Sequence, residues 1–194
     1  MKSDAVYVFD ADGVLIEPWG FDQALEHDYG IAPQTTRPFF QGPFLDCLIG
    51  QADLTRVIGP YLDEWGWPHS VEELITLWLT SENQPQAEVL SHVASIRHKG
   101  GFCALASNQE QRRARFIEQE MFHGLFDRFY FSCDLGVAKP QREYFQTIAQ
   151  DLDVAPERIH FWDDTQQHVD GARQCGWNAY FYSGPDSLSV SNEH

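Results

Sequence analysis

The sequence predicts an α/β protein with a Rossmann-like, three-layer α/β/α core on a parallel sheet and a helical insertion after the first strand. Five short runs rich in Val, Phe and Tyr are apolar almost throughout, as strands buried on both faces require. Helical patterns follow the second, third and fourth runs and precede the second, so we expect right-handed crossovers and parallel strands.

The five predicted strands share this near-continuous apolar pattern. They are AVYVFD (5–10), FCALAS (102–107), RFYFS (128–132), RIHFWD (158–163) and NAYFY (178–182). The helices predicted between them span 85–101, 109–122, 140–152 and 165–176. Pro140 suits the first turn of its helix, and Gly176 suits the end of the last one.

Residues 17–84 contain no convincing strand pattern and instead carry helical patches punctuated by prolines. We therefore predict a discontinuous core of residues 1–16 and 85–194, with 17–84 forming a helical domain between its parts. Trp65 and Trp67 are expected to pack inside that domain, whereas Trp19 is a candidate to stack on a substrate. The Ser-rich tail is expected to fray.

Composition limits the function classes. A hydrophobic content of 43% supports a real core, and a net charge of −16 disfavours nucleic acid and anionic membranes as partners. No apolar run approaches membrane-spanning length, no signal peptide is apparent, and the four cysteines form no CxxC motif. We expect a cytoplasmic protein with small, buried cysteines; its oligomeric state is left open.

Polar residues follow four of the predicted strands, and they form the candidate site because ligands bind at the carboxyl ends of parallel strands. They are Asp10 and Asp12 after the first strand, Ser107 and Asn108 after the second, Lys139 in the loop after the third, and Asp163 and Asp164 after the fourth.

These residue types match the needs of phosphoryl transfer. Clustered carboxylates are unstable unless a cation neutralises them or some are protonated, and hard oxygen ligands favour Mg²⁺. A hydroxyl, backbone N–H groups and one lysine can hold phosphoryl oxygens. One carboxylate can attack phosphorus, and a second can protonate the leaving alcohol.

Each feature alone has an ordinary explanation. Asp12-Gly13 resembles a turn, Asp163-Asp164 an N-terminal helix cap, and Lys139 a solvated loop residue. Their joint placement favours a site. The eight histidines form no metal pattern and are interpreted as surface or structural residues.

Four motifs, FDADGV, LASNQ, GVAKP and FWDDTQQHVDGA, resemble in this order the signature of the haloacid dehalogenase superfamily. Residues 17–84 fall where that superfamily carries a helical cap. SCDLGVAKPQREYF and FWDDTQQHVDGARQCGW are more closely similar to small helical-cap sugar-phosphate phosphatases. His168, where relatives often have Asn, and Gln109 depart from the pattern.

The resemblance implies a role for each matching residue. Asp10 matches the nucleophile and a Mg²⁺ ligand, and Asp12 matches the general acid/base, with its carbonyl as a further ligand. Ser107 and Lys139 match phosphate-binding residues, and Asn108 is grouped with them. Asp164 matches the metal-binding acid and Asp163 a supporting carboxylate behind it, although these two could exchange roles.

The expected function is a Mg²⁺-dependent phosphatase that hydrolyses a small phosphorylated metabolite, such as a sugar phosphate, through an aspartyl phosphate. A phosphomutase uses the same residues and stays an alternative. A haloacid dehalogenase is more distant, because dehalogenases lack the equivalent of Asp12. A signalling receiver domain has a different motif order and shorter connections. A catalytically idle binding protein is disfavoured because no catalytic position is missing.

Overall fold

A parallel sheet forms the centre of the protein in the computed structural model, which describes residues 5–17 and 20–192. Its strands are β1 (Val6–Phe9), β2 (Phe102–Ser107), β3 (Arg128–Phe131), β4 (Ile159–Asp163) and β5 (Asn178–Phe181). Their order is β3-β2-β1-β4-β5, and all four pairings are parallel. The predicted fold class is confirmed.

In the described chain seven α-helices lie between β1 and β2, and four more follow β2. The first six are α1 (Gly20–Tyr29), α2 (Pro33–Phe40), α3 (Phe44–Leu48), α4 (Leu54–Ile58), α5 (Leu62–Trp65) and α6 (Val71–Ser81). The others are α7 (Ala87–His98), α8 (Gln111–Phe116), α9 (Ser132–Leu135), α10 (Arg142–Leu152) and α11 (Gln166–Gln174).

Apolar side chains cover both faces of the sheet. Successive strand residues point to opposite faces, so Val8 packs with α10 and α11 whereas Phe9 packs with α7 and α8. Trp162 lies fully buried on the Phe9 side. The sheet with helices on its two faces forms the three layers that the sequence predicts.

Helices α1–α6, hereafter the helical layer, have an apolar core of their own. Its buried members all lie between Phe21 and Trp78, and they include Trp65 and Trp67 as predicted. The segments that enter and leave this layer lie side by side, because the Glu17 N–H donates to the Gln84 carbonyl at 2.9 Å. The boundaries at 16/17 and 84/85 stay a proposal, which this separate core supports.

Several local predictions were wrong. Helix α2 forms over a proline-containing segment that was not predicted to be helical; Pro33 occupies its first turn, where a missing N–H is tolerated, and Pro38 lies inside it. Residues predicted as the loop after β3 begin with the short helix α9. The predicted helix 109–122 divides into α8 and a π-helical turn, Ile117–Met121.

Two further expectations, for Pro140 and for the C-terminal tail, were wrong. Helix α10 begins at Arg142, so Pro140 lies before it and not in its first turn. The tail forms a 3₁₀ helix, Pro185–Asn192, and Leu188 is buried against the α7 side of the sheet, so the tail does not fray over these residues. Trp19 lies outside the described residues.

Candidate active site

The candidate site lies at the carboxyl ends of β1, β2 and β4, where the strand order reverses direction around β1. Such a reversal opens a crevice at this edge of a parallel sheet. Asp10, Ser107, Lys139 and Asp163 are all buried there. The structure thus brings together residues that are far apart in the chain.

Lys139 lies between two carboxylates. Its Nζ is 2.8 Å from Asp10 Oδ1, 2.6 Å from Asp163 Oδ2 and 3.1 Å from the Ala106 carbonyl. The Asn108 side chain accepts from the Lys139 backbone N–H at 2.9 Å and donates to its carbonyl at 3.0 Å. The interpretation of Lys139 as a solvated loop residue is therefore wrong, because both its backbone and its side chain are held in place.

The charges at this point do not balance. Burial and the neighbouring Asp163 carboxylate raise the pKa of Asp10 well above its ordinary value, although Lys139 opposes the shift. Burial would also raise the pKa of Asp163, but Lys139 and His168 outweigh it and lower that pKa. Burial acts to lower the pKa of Lys139, but the two carboxylates outweigh it and raise that pKa above its ordinary value. One ammonium thus faces two buried carboxylates, an arrangement that favours an additional cation.

Protein groups contact both carboxylate oxygens of Asp163. Besides Lys139, it accepts a hydrogen bond from the Thr165 N–H at 2.8 Å. The His168 Nδ1 lies 3.0 and 3.1 Å from its two oxygens. His168 therefore belongs to the site; the sequence marks it only as a departure within the fourth motif and interprets the histidines as surface or structural residues.

Asp164 faces the other way, toward the loop after β1. Its carboxylate lies directly against Gly13, where a Cβ atom would be 1.9 Å from Asp164 Oδ2. Gly13 also has a φ of +77°, which favours glycine. Partial burial and Asp163 raise the pKa of Asp164. The two adjacent aspartates thus differ in surroundings, a distinction that the sequence left open.

Asp12 is held by two side chains, although 49% of its own side chain is exposed. Its Oδ1 accepts from Arg113 at 2.6 Å, and its Oδ2 accepts from the Gln109 Nε2 at 2.7 Å. The same Gln109 nitrogen donates to Ser107 Oγ at 3.1 Å. Gln109, which the sequence marks only as a departure from the family pattern, therefore links Asp12 to Ser107.

The comparison with known protein families agrees with this geometry. A family model described as haloacid dehalogenase-like hydrolase matches residues 5–176. The chain belongs to this family. The resemblance read from the four motifs is confirmed, and the protein is a hydrolase.

Solved structures share the fold of this haloacid dehalogenase-like hydrolase. A haloacid dehalogenase family enzyme from Bacteroides thetaiotaomicron, solved as a magnesium complex, aligns with a TM-score of 0.82 at 21% identity over 97% of this chain and 98% of that one. An L-2-haloacid dehalogenase from Xanthobacter autotrophicus aligns with a TM-score of 0.69 at 21% identity, over 100% and 84%. At these identities the likeness shows the fold.

Two curated relatives carry phosphatase names. A phosphorylated carbohydrates phosphatase from Thermotoga maritima is 29% identical over 112 residues, which are 56% of this chain and 49% of that protein. A phosphatase from Mycobacterium tuberculosis is 40% identical over 58 residues, 30% of this chain and 27% of that protein. These matches span less than half the length of either relative.

In this hydrolase a cavity of about 730 Å³ separates the helical layer from the sheet edge. On the sheet side it is lined by Asp12, Asn108, Gln109 and Arg113. On the helical side aromatic and charged residues line it, including Phe21, Asp22, Glu26, Arg37, Phe40, Phe44, Trp78 and Glu82. Buried Asp10 does not line the cavity itself, whereas Asp12, two residues further along the chain, does.

Arg113 and Glu82 were missed by the sequence analysis. The Arg113 side chain is 1% exposed and pairs with both Asp12 and Glu82, with its Nη1 2.8 Å from Glu82 Oε2. Glu82 also accepts from the Trp78 Nε1 at 2.6 Å. Burial, partly opposed by Arg113, raises the pKa of Glu82 to about 7. Arg113 stands among three arginines in QRRAR, and no local pattern distinguishes it.

The four cysteines all lie within the described residues and are free thiols; Cys47, Cys103 and Cys133 are buried as predicted, whereas Cys175 is half-buried. Among the described helices, none combines the length and the apolar character that a bilayer crossing needs.

Proposed function

We propose that this hydrolase is a phosphatase acting on a small phosphorylated metabolite through an aspartyl phosphate on Asp10. The observation that carries the proposal is the Asp12 carboxyl group, which lines the cavity two residues past buried Asp10 and is oriented by Arg113 and Gln109. An alkoxide leaving from phosphorus needs a proton, whereas a halide does not. The phosphatase names of two relatives support the same reaction class.

Asp10 is the proposed nucleophile. Its Oδ1 contacts the Lys139 ammonium and accepts the Ala11 N–H at 2.7 Å, so we assign the attack to Oδ2. The Oδ2–phosphorus bond forms as the bond from phosphorus to the leaving oxygen breaks, and Asp12 gives its proton to that oxygen. Asp12 then takes a proton from water as the water oxygen bonds to phosphorus and the phosphorus–Oδ2 bond breaks, which releases inorganic phosphate and regenerates the Asp10 carboxylate.

We assign the phosphoryl oxygens to Ser107, Asn108 and Lys139. Ser107 Oγ accepts from Gln109 and can donate its own hydrogen to phosphate. The Asn108 side chain is occupied by Lys139, so its backbone N–H is the group we assign. The three hydrogens of the Lys139 ammonium are matched by three protein oxygens, so Lys139 acts chiefly through its charge.

The residues at this edge fit a Mg²⁺ ion. We propose Asp10, the Asp12 carbonyl and Asp164 as its ligands, because all are hard oxygen donors and the Asp164 carboxylate is seated on Gly13. Asp10, Asp163 and His168 also bring ligand atoms within 4.8 Å of one another. There, however, Lys139 and His168 occupy the Asp163 oxygens, so we assign Asp163 the supporting role. When bound, Mg²⁺ would neutralise the carboxylates and the phosphoryl oxygens.

We further propose that residues 17–84 form a cap domain over a core of 1–16 and 85–194. Its helical layer closes one side of the cavity, and cap closure would exclude water from the reacting groups. A cytoplasmic location belongs to the same proposal and is supported by the free cysteines.

The direct test replaces Asp10 by Asn. Wild-type protein should release inorganic phosphate from 4-nitrophenyl phosphate with Mg²⁺ and lose this activity in EDTA, and a panel of phosphorylated metabolites should then rank the substrates. Asp10→Asn should lower kcat by more than about 10⁴-fold, as expected for removal of a nucleophile. The control Asp134→Asn, which alters an exposed ion pair with Arg115, should retain activity.

Three outcomes would contradict the proposal. Mg²⁺-dependent turnover by Asp10→Asn would exclude Asp10 as the nucleophile. Chloride release from 2-chloropropionate without phosphate release would indicate a dehalogenase. Transfer of the phosphoryl group to a second sugar hydroxyl, without free phosphate, would indicate a phosphomutase.

A further inference from the structure

Two adjacent arginines of α8 pair with acidic residues of the helical layer, but in different surroundings. Arg112 makes an exposed hydrogen-bonded pair with Glu72, with Nη1 2.7 Å from Oε1. Arg113 is buried and contacts Glu82, which directly follows α6. Glu72 lies in α6 and Glu82 lies at its C-terminal end, so both pairs join α8 to α6 and its C-terminal cap, and one pair can serve as a control for the other.

The buried pair reaches the site, whereas the exposed pair does not. One guanidinium nitrogen of Arg113 is 2.6 Å from Asp12 Oδ1, and another is 2.8 Å from Glu82 Oε2. The guanidinium also lies 5.9 Å from the centre of the Trp78 ring, whose Nε1 donates to Glu82. A guanidinium is a rigid planar fork, so fixing one of its nitrogens also fixes the other.

We propose that Arg113 is a positioning residue for Asp12 and that it makes the orientation of Asp12 depend on how Glu82 and Trp78 are docked. Asp12 is half exposed, and apart from Arg113 its carboxylate is held by Gln109. A general acid must lie within hydrogen-bond reach of the leaving oxygen, so a freely rotating Asp12 would be a poor one. Docking of the helical layer thus sets the geometry of proton transfer.

This inference rests on the proposed phosphatase activity, and its readout is the dependence on the leaving group. Phenyl phosphate and 4-nitrophenyl phosphate are similar in size, but phenolate is the poorer leaving group and gains more from protonation. A variant that misplaces Asp12 should therefore lose more activity with phenyl phosphate. A variant that only unsettles the fold should lose activity equally with both.

Arg113→Met is the first variant. We expect kcat for phenyl phosphate to fall roughly tenfold further than kcat for 4-nitrophenyl phosphate. This difference is smaller than the whole contribution of general acid catalysis, which is ~10²–10⁴-fold. Glu82→Gln, which keeps an oxygen for the Trp78 hydrogen bond, should shift the ratio in the same direction by a smaller factor and serves if Arg113→Met does not fold. Arg112→Gln removes the exposed pair and should leave the ratio unchanged.

A double-mutant cycle with Asp12→Asn isolates the route of the effect. If Arg113 acts through Asp12, the substitution Arg113→Met should not change the leaving-group ratio further in the Asp12→Asn background. An additive effect, equal losses with both substrates, or a ratio shift in Arg112→Gln would each overturn the inference. Failure of wild-type protein to release phosphate from either substrate would instead overturn the proposed function.

Discussion

The sheet edge and the helical layer face each other across one cavity, but they are built differently. At the sheet edge a few buried polar groups satisfy one another: Asp10 directly after β1, Asp163 at the end of β4, and Lys139 in the loop after α9. The helical layer has an aromatic core, and the residues it presents to the cavity are spread over several helices. Short sequence segments therefore specify the reacting groups, whereas the shape of the cavity depends on how several helices pack together.

The two regions also meet in different ways. Gly50 of the helical layer packs against the Cys133 carbonyl, where a Cβ atom would lie 2.3 Å from the oxygen. Glu82 meets Arg113 as a charged contact. The close backbone contact at Gly50 fixes the position of the helical layer. The ion pair between Glu82 and Arg113 connects the layer to Asp12, which Arg113 also contacts.

Among the substitutions that compare these two regions, Lys139→Met at the sheet edge should have the largest effect. The substitution leaves Asp10 and Asp163 buried without their shared cation, which should lower the free energy of unfolding by about 3–5 kcal/mol. Phosphate release should fall by about 10²–10³-fold or more, because an electrostatic partner of the reacting groups is lost. Urea unfolding and phosphate-release assays measure the two effects.

Phe39→Ala is the matched control in the helical layer. Phe39 is fully buried among aromatic rings, so the truncation should also lower the free energy of unfolding by about 3–5 kcal/mol. Below its unfolding temperature, however, kcat should stay within about tenfold of wild type, since no reacting group is touched. Equal losses of kcat in the two variants would contradict the division between the regions.

The next effect concerns the seat of Asp164. Gly13→Ala places a Cβ where the Asp164 carboxylate lies, and it should raise the Mg²⁺ concentration for half-maximal activity by roughly 10- to 100-fold. Gly30→Ala is the control, because Gly30 has a similar φ of +70° but open space around it. If both variants lose Mg²⁺ affinity equally, backbone strain and not the Asp164 contact is responsible.

The smallest effect is a pH dependence at the junction. The pKa of Glu82 is raised from 4.5 to about 7 in the folded protein, mainly by burial, so the folded state binds this proton more tightly. The stability contributed by this proton is present below pH 4.5 and is lost as pH rises toward 7.

Between pH 4.5 and pH 7 the free energy of unfolding of the wild type should fall by on the order of 1 kcal/mol relative to that of Glu82→Gln. This is less than the full pKa shift would give, because the Glu82 side chain keeps partial solvent contact. Urea unfolding at pH 4.5, 5.5 and 7 provides the measurement. Glu72→Gln, at the exposed pair with Arg112, should show no such relative gain. Parallel stability curves for wild type and Glu82→Gln would show that Glu82 titrates normally.

Elements with a strong local pattern were predicted well. All five strands and four of the five described α-helices after residue 84 were predicted, because apolar runs and helical periodicity report burial directly; α9 was missed. Helix α2 was missed because its prolines were interpreted as breaks, although one of them starts the helix. Leu188 is buried although it lies in a polar tail, since the α7 side of the sheet accepts it.

By itself the sequence determined the sheet, the strand ends and the residues gathered there, since the order of short motifs along the chain decides which groups meet at a parallel edge. Only the tertiary structure decided that Asp163 turns inward while Asp164 rests on Gly13. It also decided that Arg113, and not Arg112, joins Asp12 to Glu82. The physical reason is that these choices depend on burial and on partners distant in the chain, which neighbouring residues do not encode.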